Sequence, residues 1–372
     1  MEPTVRFNQS DRPEFYIELR KRVNTYFKES NISKHANLNM RFKTLFMLLL
    51  YFAPFVLMLT GVVASTWGVI IMWAIMGFGM SGIGLSVMHD ANHGAYSSKQ
   101  STNNFFGYVL NFVGGYHINW KIQHNVLHHS YTNIEGHDED IEKKGIIRFS
   151  PNQERKKFFR FQLFYAPILY SVLTLYWATF KDYDQLIRYN KKGLLKGQNV
   201  SFGAALFRII LFKIIYYAVI IALPIVVLSV SWGVVVAGFV IMQMISGLIL
   251  ALVFQAAHVI EDVEFYELDE KKSVENSWAI HQMKTTANFA NSNSALTWFI
   301  GGLNHQIEHH LFPTICHVHY PKIAGIVKET AREFNVPYHE YNTFYGALKS
   351  HFTLLNDLGT GKYDRDRMKT AS

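Results

Sequence analysis

The sequence is poor in cysteine and in charge: Cys316 is its one cysteine, and Asp, Glu, Lys and Arg make up 17% of 372 residues. A lone thiol builds neither an intrachain disulfide nor a zinc-cysteine site, so Cys316 reads as a reduced thiol. With 49% hydrophobic and 15% aromatic residues, a disordered chain and a disulfide scaffold are both excluded. Charge is missing altogether from Thr44 to Met88 and again from Ile214 to Ile260. Each run is about twice the roughly 20 residues that cross a bilayer, so each predicts a helical hairpin. Turns are expected at Ser65-Thr66-Trp67-Gly68 and at Ser229-Val230-Ser231-Trp232-Gly233, where Trp suits the membrane interface and Gly a helix end.

The remaining charge orients these hairpins. Every Lys and Arg precedes Thr44, lies between the two runs or follows Ile260, which places both hairpins with their ends in the cytoplasm. The net charge of +8 then fits this topology and anionic lipid headgroups, and no nucleic-acid partner is expected. Met1-Glu2-Pro3-Thr4 shows no signal-peptide pattern, so the first hairpin is the expected insertion signal, and Lys369-Thr370-Ala371-Ser372 is not a retention signal. Spans are predicted at about 44–64, 68–88, 214–230 and 233–257. A third uncharged run, Phe161 to Phe180, contains Pro167 and many aromatics and is expected to dip into the membrane without crossing. Residues 1–42 form a cytoplasmic N-terminal segment. Within it Phe15, Leu19, Val23 and Phe27 stripe one face of a helix over Pro13 to Glu29, expected on the membrane surface. A cytoplasmic helix is predicted from Pro321 to Phe334, and residues 361–372 form a polar tail.

Seventeen histidines are many for such a chain, and three clusters of them share a spacing. His89-Asp90-Ala91-Asn92-His93 follows the first hairpin, and four-residue spacing on a helix stacks both imidazoles on one face. His124-Asn125-Val126-Leu127-His128-His129 repeats the spacing and adds an imidazole turned away by about 100°. His305-Gln306-Ile307-Glu308-His309-His310 follows the second hairpin, and His258 stands at that hairpin's cytoplasmic end. A single histidine is a packing residue by default, and His117, His137, His281, His317 and His319 are read so. Three clusters on one membrane face offer more nitrogen donors than one ion coordinates, so two metals are expected. The sequence contains no Glu-x-x-His and no His-Glu-x-x-His, against a carboxylate-rich di-iron site and a zinc protease. Zinc does not cycle electrons. Redox chemistry on a lipid is the reading that remains.

These three boxes resemble those of the membrane-bound fatty acid desaturases. The third, Gln306-Ile307-Glu308-His309-His310-Leu311-Phe312-Pro313, is similar to that of front-end desaturases, and the likeness extends to Gln255-Ala256-Ala257-His258-Val259 and Trp278-Ala279-Ile280-His281-Gln282. The resemblance implies an all-α integral membrane protein. Two transmembrane hairpins would carry a cytoplasmic helical domain with a di-iron site, the desaturase domain covering residues 43–360. It implies iron ligands at His89, His93, His124, His128, His129, His258, His309 and His310, with Gln306 near the iron. Spacing alone favours His305 instead of Gln306. The sequence carries no His-Pro-Gly-Gly haem motif, so a separate electron donor of ferredoxin or cytochrome b5 type is expected, with O2 as co-substrate. The expected substrate is a long-chain acyl-CoA or acyl-lipid.

Neutral imidazoles leave the metal charge uncancelled, so carboxylates are expected to hold imidazole N–H groups. Asp90 is the first choice, followed by Glu308, Glu261, Asp262, Asp138 and Asp140. Gly77, Gly79, Gly82 and Gly84 either make room for an acyl chain or pack helices closely. Arg155, Lys156, Lys157, Arg188, Lys191 and Lys192 suit CoA phosphates or lipid headgroups. A membrane hydroxylase would present similar boxes, and a histidine-rich metal transporter is the alternative of another class. The transporter needs ligands deep within the membrane, where neither hairpin carries a charge.

Overall fold

The computed structural model describes residues 5–142, 145–268, 270 and 272–365. The expectations for Met1 to Thr4 and for the tail beyond Arg365 lie outside the described residues. The chain divides into two compact units, one of Ala36–Ile122 and Ile168–Ala251, the other of Glu2–His35, Gln123–Pro167 and Leu252–Ser372.

The first unit holds most of the helix long and apolar enough to cross a membrane: Leu38–Leu59, Thr66–Asn92, Phe202–Val227 and Trp232–His258, the last running on into the second unit. Two helices begin before the predicted 44 and 214, because capping side chains and not the last charge set their starts. The Asn37 side chain accepts from Met40 N at 3.0 Å and Ser201 Oγ from Ala204 N at 3.3 Å. Lys213 therefore lies inside a helix, buried. Its Nζ donates to Asp182 Oδ2 at 2.7 Å, to the Gly114 carbonyl at 2.6 Å and to the Trp177 carbonyl at 2.7 Å. Gly77 and Gly79 bring helices into close contact: a Cβ on Gly79 would stand 2.6 Å from Tyr51 N, and one on Gly77 2.8 Å from the Met242 carbonyl. Close packing accounts for these two glycines, without an acyl chain. The third apolar run is not one rod. Lys157–Ser171 and Leu173–Lys191 meet at 56°.

The second unit is mostly helical, with Pro13–Glu29, Trp278–Thr285, Gln306–Leu311, Tyr320–Glu333 and Phe344–Thr360. Two short parallel strand pairs, not anticipated by the all-α expectation, tie it together: Arg6–Phe7 with Ser273–Val274, and Ala287–Phe289 with His339–Tyr341. The Pro13–Glu29 helix forms as predicted, but its stripe does not face lipid. Phe15, Leu19 and Val23 are buried in one core with Ile307, Leu311, Ile323, Val327 and Ala331. Each such side chain contributes roughly 1.5–3 kcal/mol on burial. Arg22 clamps the pair by donating to both carboxylate oxygens of Glu333 at 2.9 and 2.6 Å. The membrane-surface expectation is corrected because the apolar stripe of Tyr320–Glu333 takes the place assigned to lipid.

Candidate metal centre

In the first unit the Thr66–Asn92 helix widens into a π-helical turn over Ile83–Val87, directly before the first box. Such turns frequently mark functional sites. His89 and His93 share a helix face as the spacing requires, with ring centroids 4.8 Å apart, and Trp120 packs edge-on against both. Asp90 is buried, its Oδ1 3.7 Å from His89 Nδ1.

The second unit gathers six imidazoles. His124 and His128 lie in a π-helical segment, Ile122–His128, whose i→i+5 pattern brings His129 round to His124. His129 Nε2 stands 3.3 Å from His124 Nε2 and 2.9 Å from His309 Nε2. The expectation that His129 turns away is thus corrected, because it assumed α-helical pitch; His128 is the one that turns to a different set. His128, His258 and His310 form that set, with a ligand atom of each within 4.8 Å of the others.

The outer nitrogens decide what these groups do. His128 Nδ1 faces both oxygens of Asp138 at 3.2 Å and Asp140 Oδ2 at 3.4 Å. His258 Nδ1 meets the Thr285 carbonyl at 3.3 Å, and His310 Nδ1 meets Gln282 Oε1 at 2.8 Å. These partners accept, so each ring keeps its proton on Nδ1 and presents an Nε2 lone pair inward. His309 Nδ1 lies 3.1 Å from the Tyr320 hydroxyl. The buried His258 Nε2 has no hydrogen-bond partner among the described residues. Lone pairs aimed at one another repel unless a proton or a metal cation takes the space between them. Imidazole nitrogens bound at roughly 2.1 Å to one ion, at right-angled to tetrahedral angles, stand about 3.0–3.4 Å apart. At His129 the 3.3 Å separation from His124 lies within that range, and the 2.9 Å separation from His309 falls just below it.

Of the expected carboxylates, Asp138 and Asp140 hold an imidazole. Asp138 is itself fixed by Asn133 N and Asp140 N, both at 2.9 Å. Glu308 turns elsewhere: Asn288 Nδ2 donates to it at 2.8 Å and the Tyr338 hydroxyl at 3.0 Å, and burial pushes its carboxyl up to about 7. Asp262 accepts from the Tyr341 hydroxyl at 2.6 Å. In the third box the Gln306 side chain lies beside His258, its amide atoms buried without a well-formed hydrogen bond among the described residues. His305 belongs to neither imidazole group; its Nδ1 stands 3.8 Å from Glu308 Oε2, and burial pushes the ring down to about 4. His281 is a packing histidine, its Nε2 2.7 Å from the Thr132 carbonyl and burial pushing it to about 4. His117 is pushed to about 3 by burial, then by Lys121 and Arg208, beside Asn111. No motif or spacing singles out Gln282, Tyr320 or Asn133, whose side chain donates to the His258 carbonyl at 2.8 Å. Only the segment likeness around Gln282 pointed that way.

A model of the fatty acid desaturase family matches residues 64–342. The chain is 37% identical to the sn-1 linoleoyl-lipid 6-desaturase of Synechocystis sp., over 92% of this chain and 94% of that one. It is 35% identical to the acyl-lipid (8-3)-desaturase of Physcomitrium patens, over 98% and 75%, and 31% identical to the acyl-lipid (8-3)-desaturase of Mortierella alpina, over 96% and 78%.

Proposed function

The chain belongs to the fatty acid desaturase family, and we propose that it inserts a front-end double bond into a long-chain acyl group carried on a membrane lipid. The likeness to lipid-acting relatives supports acyl-lipid over acyl-CoA. The observation that carries the reading is a cluster of six imidazoles in which His128, His258 and His310 have Nδ1 held by an acceptor and Nε2 atoms converge. A pair of iron ions there, with O2 and two external electrons, would supply hydrogen abstraction from an unactivated carbon, which no side-chain acid or base achieves. The chain's two hydrogens, two donor electrons and two protons then reduce O2 to two waters.

The protein's part is to hold and to exclude. His124, His129 and His309 would hold one iron, and His128, His258 and His310 the other. His89 and His93 are assigned as further ligands from the first box, and Gln306 is placed near iron in preference to His305. Asp138 fixes the His128 ring and offsets metal charge, the role that Asp90 would take for His89. The four long helices would span the membrane with the boxes on the cytoplasmic side, as the placement of Lys and Arg supports. The bent Lys157–Lys191 pair would dip without crossing, which keeps all three boxes on one face. Electrons would come from a separate carrier.

The test is the fatty-acid profile, by gas chromatography and mass spectrometry, of a host fed candidate polyunsaturated precursors and expressing wild type or His128→Ala. A new double bond on the carboxyl side of an existing one, present with wild type alone, is the expected outcome. A hydroxylated chain would replace this reading with a hydroxylase.

A further inference from the structure

A groove in the second unit opens beside the third box. Its walls include Tyr16, Arg20, Lys28, Lys34, Trp278 and Phe312, and no carboxylate lines it. Arg20, Lys28 and Lys34 are exposed, and the Arg20 guanidinium lies over the Tyr16 ring at 5.7 Å from its centroid. The aromatic floor leads to both imidazole groups. Trp278 Nε1 donates to the His129 carbonyl at 3.2 Å, and the Tyr16 hydroxyl donates to the carbonyl of Leu311, the residue after His310, at 3.0 Å. Tyr16 and Trp278 meet edge-on with centroids 5.4 Å apart. Three cations around an aromatic floor complement an acidic partner. A partner docked there would sit one residue's thickness from the histidines.

We propose that this groove is the docking site for the electron donor, an acidic single-electron carrier protein. This rests on the desaturase reading, which requires two electrons for each double bond. Each docking event would oxidise the carrier by one electron and pass that electron toward metal held by the histidines, so two events would supply the two electrons that a double bond requires. The basic rim draws the carrier in and orients it, and the rim charges set the salt dependence of the encounter.

The test compares wild type with Arg20→Glu/Lys28→Glu/Lys34→Glu, using the full chain in zwitterionic phosphatidylcholine nanodiscs. Lys99→Glu/Lys196→Glu/Lys349→Glu serves as the control reversal of exposed charge. The readouts are Kd for a plant-type [2Fe-2S] ferredoxin and for a soluble cytochrome b5 haem domain at two ionic strengths. Turnover driven by the tighter carrier is then compared with turnover driven by dithionite. The groove variant is expected to bind that carrier about tenfold more weakly, with a flattened salt dependence and unchanged dithionite-driven turnover. The control variant should match wild type. An unchanged Kd, an equal loss in the control, or a wild type that binds neither carrier overturns the proposal. So does a groove variant that keeps carrier affinity but loses binding to phosphatidylglycerol vesicles, which assigns the groove to lipid headgroups. Kd is read without catalysis, so a wild type that binds the carrier and makes no double bond fails the desaturase reading alone.

Discussion

Two buried polar clusters, the Lys213 network of the first unit and the imidazoles of the second, take opposite forms. In the apolar unit Lys213 is buried in a helix, yet its three N–H donors meet three acceptors, Asp182 and the carbonyls of Gly114 and Trp177. That network is closed, and nothing further is needed to satisfy it. In the histidine unit His128, His258 and His310 are each held by an acceptor on the outer nitrogen, while inner nitrogens of the cluster face one another. That network is open at His258 Nε2, which has no hydrogen-bond partner among the described residues. The contrast separates a structural polar cluster from a functional one: the first is complete in protein atoms, and the second becomes complete only with something bound.

Breaking the open network should have the largest effect on chemistry. His258→Ala is expected to lower product formation by about 100-fold or more while the membrane-extracted protein keeps its helical circular dichroism. Unfolding would instead make His258 a structural residue. Breaking the closed network should do the reverse. Lys213→Met leaves Asp182 buried and uncompensated, at a cost of about 3–5 kcal/mol. It should lower the thermal midpoint sharply, and Lys213→Met/Asp182→Leu should restore most of that loss. A Lys213→Met protein of unchanged stability would show that the network is not load-carrying in the fold.

Smaller changes sharpen the distinction further. Asp138→Asn keeps the shape beside His128 but removes the charge, and should weaken iron retention against a chelator by about 10–100-fold. Gln306→Ala should lower iron retention where His305→Ala does not, and the opposite pattern would restore the spacing argument for His305. The smallest effect is expected at Asp364, whose carboxyl is held below its usual 3.8 chiefly by the hydrogen bond from Arg148. A depressed carboxyl contributes stability above its unfolded value and loses it as pH falls through the folded one. Asp364→Asn should therefore cost up to about 1 kcal/mol at neutral pH, and urea titrations should show the difference from wild type shrinking as pH falls through the depressed folded value of the carboxyl.

The first unit was legible in sequence because its signal is compositional. Uncharged runs announce the long helices, but the turn expected at 65–68 lies earlier, between Leu59 and Thr66, and Ser65 caps the second helix by accepting from Gly68 N. The misplaced starts before 44 and 214 arose because Lys43 and Lys213 were read as boundaries, although a buried lysine with partners sits well inside a helix. The histidine boxes were legible because their spacing is local. The facing of His129 was not, because π-helical pitch leaves no periodicity that separates it from α-helical pitch. Asp138, Gln282 and Tyr320 were poorly legible for another reason: each reaches its imidazole through tertiary packing, and a neighbour ten residues away in sequence, like Asp138 from His128, carries no spacing rule. The amphipathic helix Pro13–Glu29 was correctly placed but wrongly partnered. A hydrophobic stripe shows which face is buried and says nothing of whether lipid or protein covers it.

The most direct test of the open network is the iron content, by inductively coupled plasma mass spectrometry, of wild type and His258→Ala purified from iron-replete cells. The account predicts two irons per wild-type chain and a clear loss in the variant. Wild type with no bound metal, or with iron that His258→Ala leaves untouched, would contradict it.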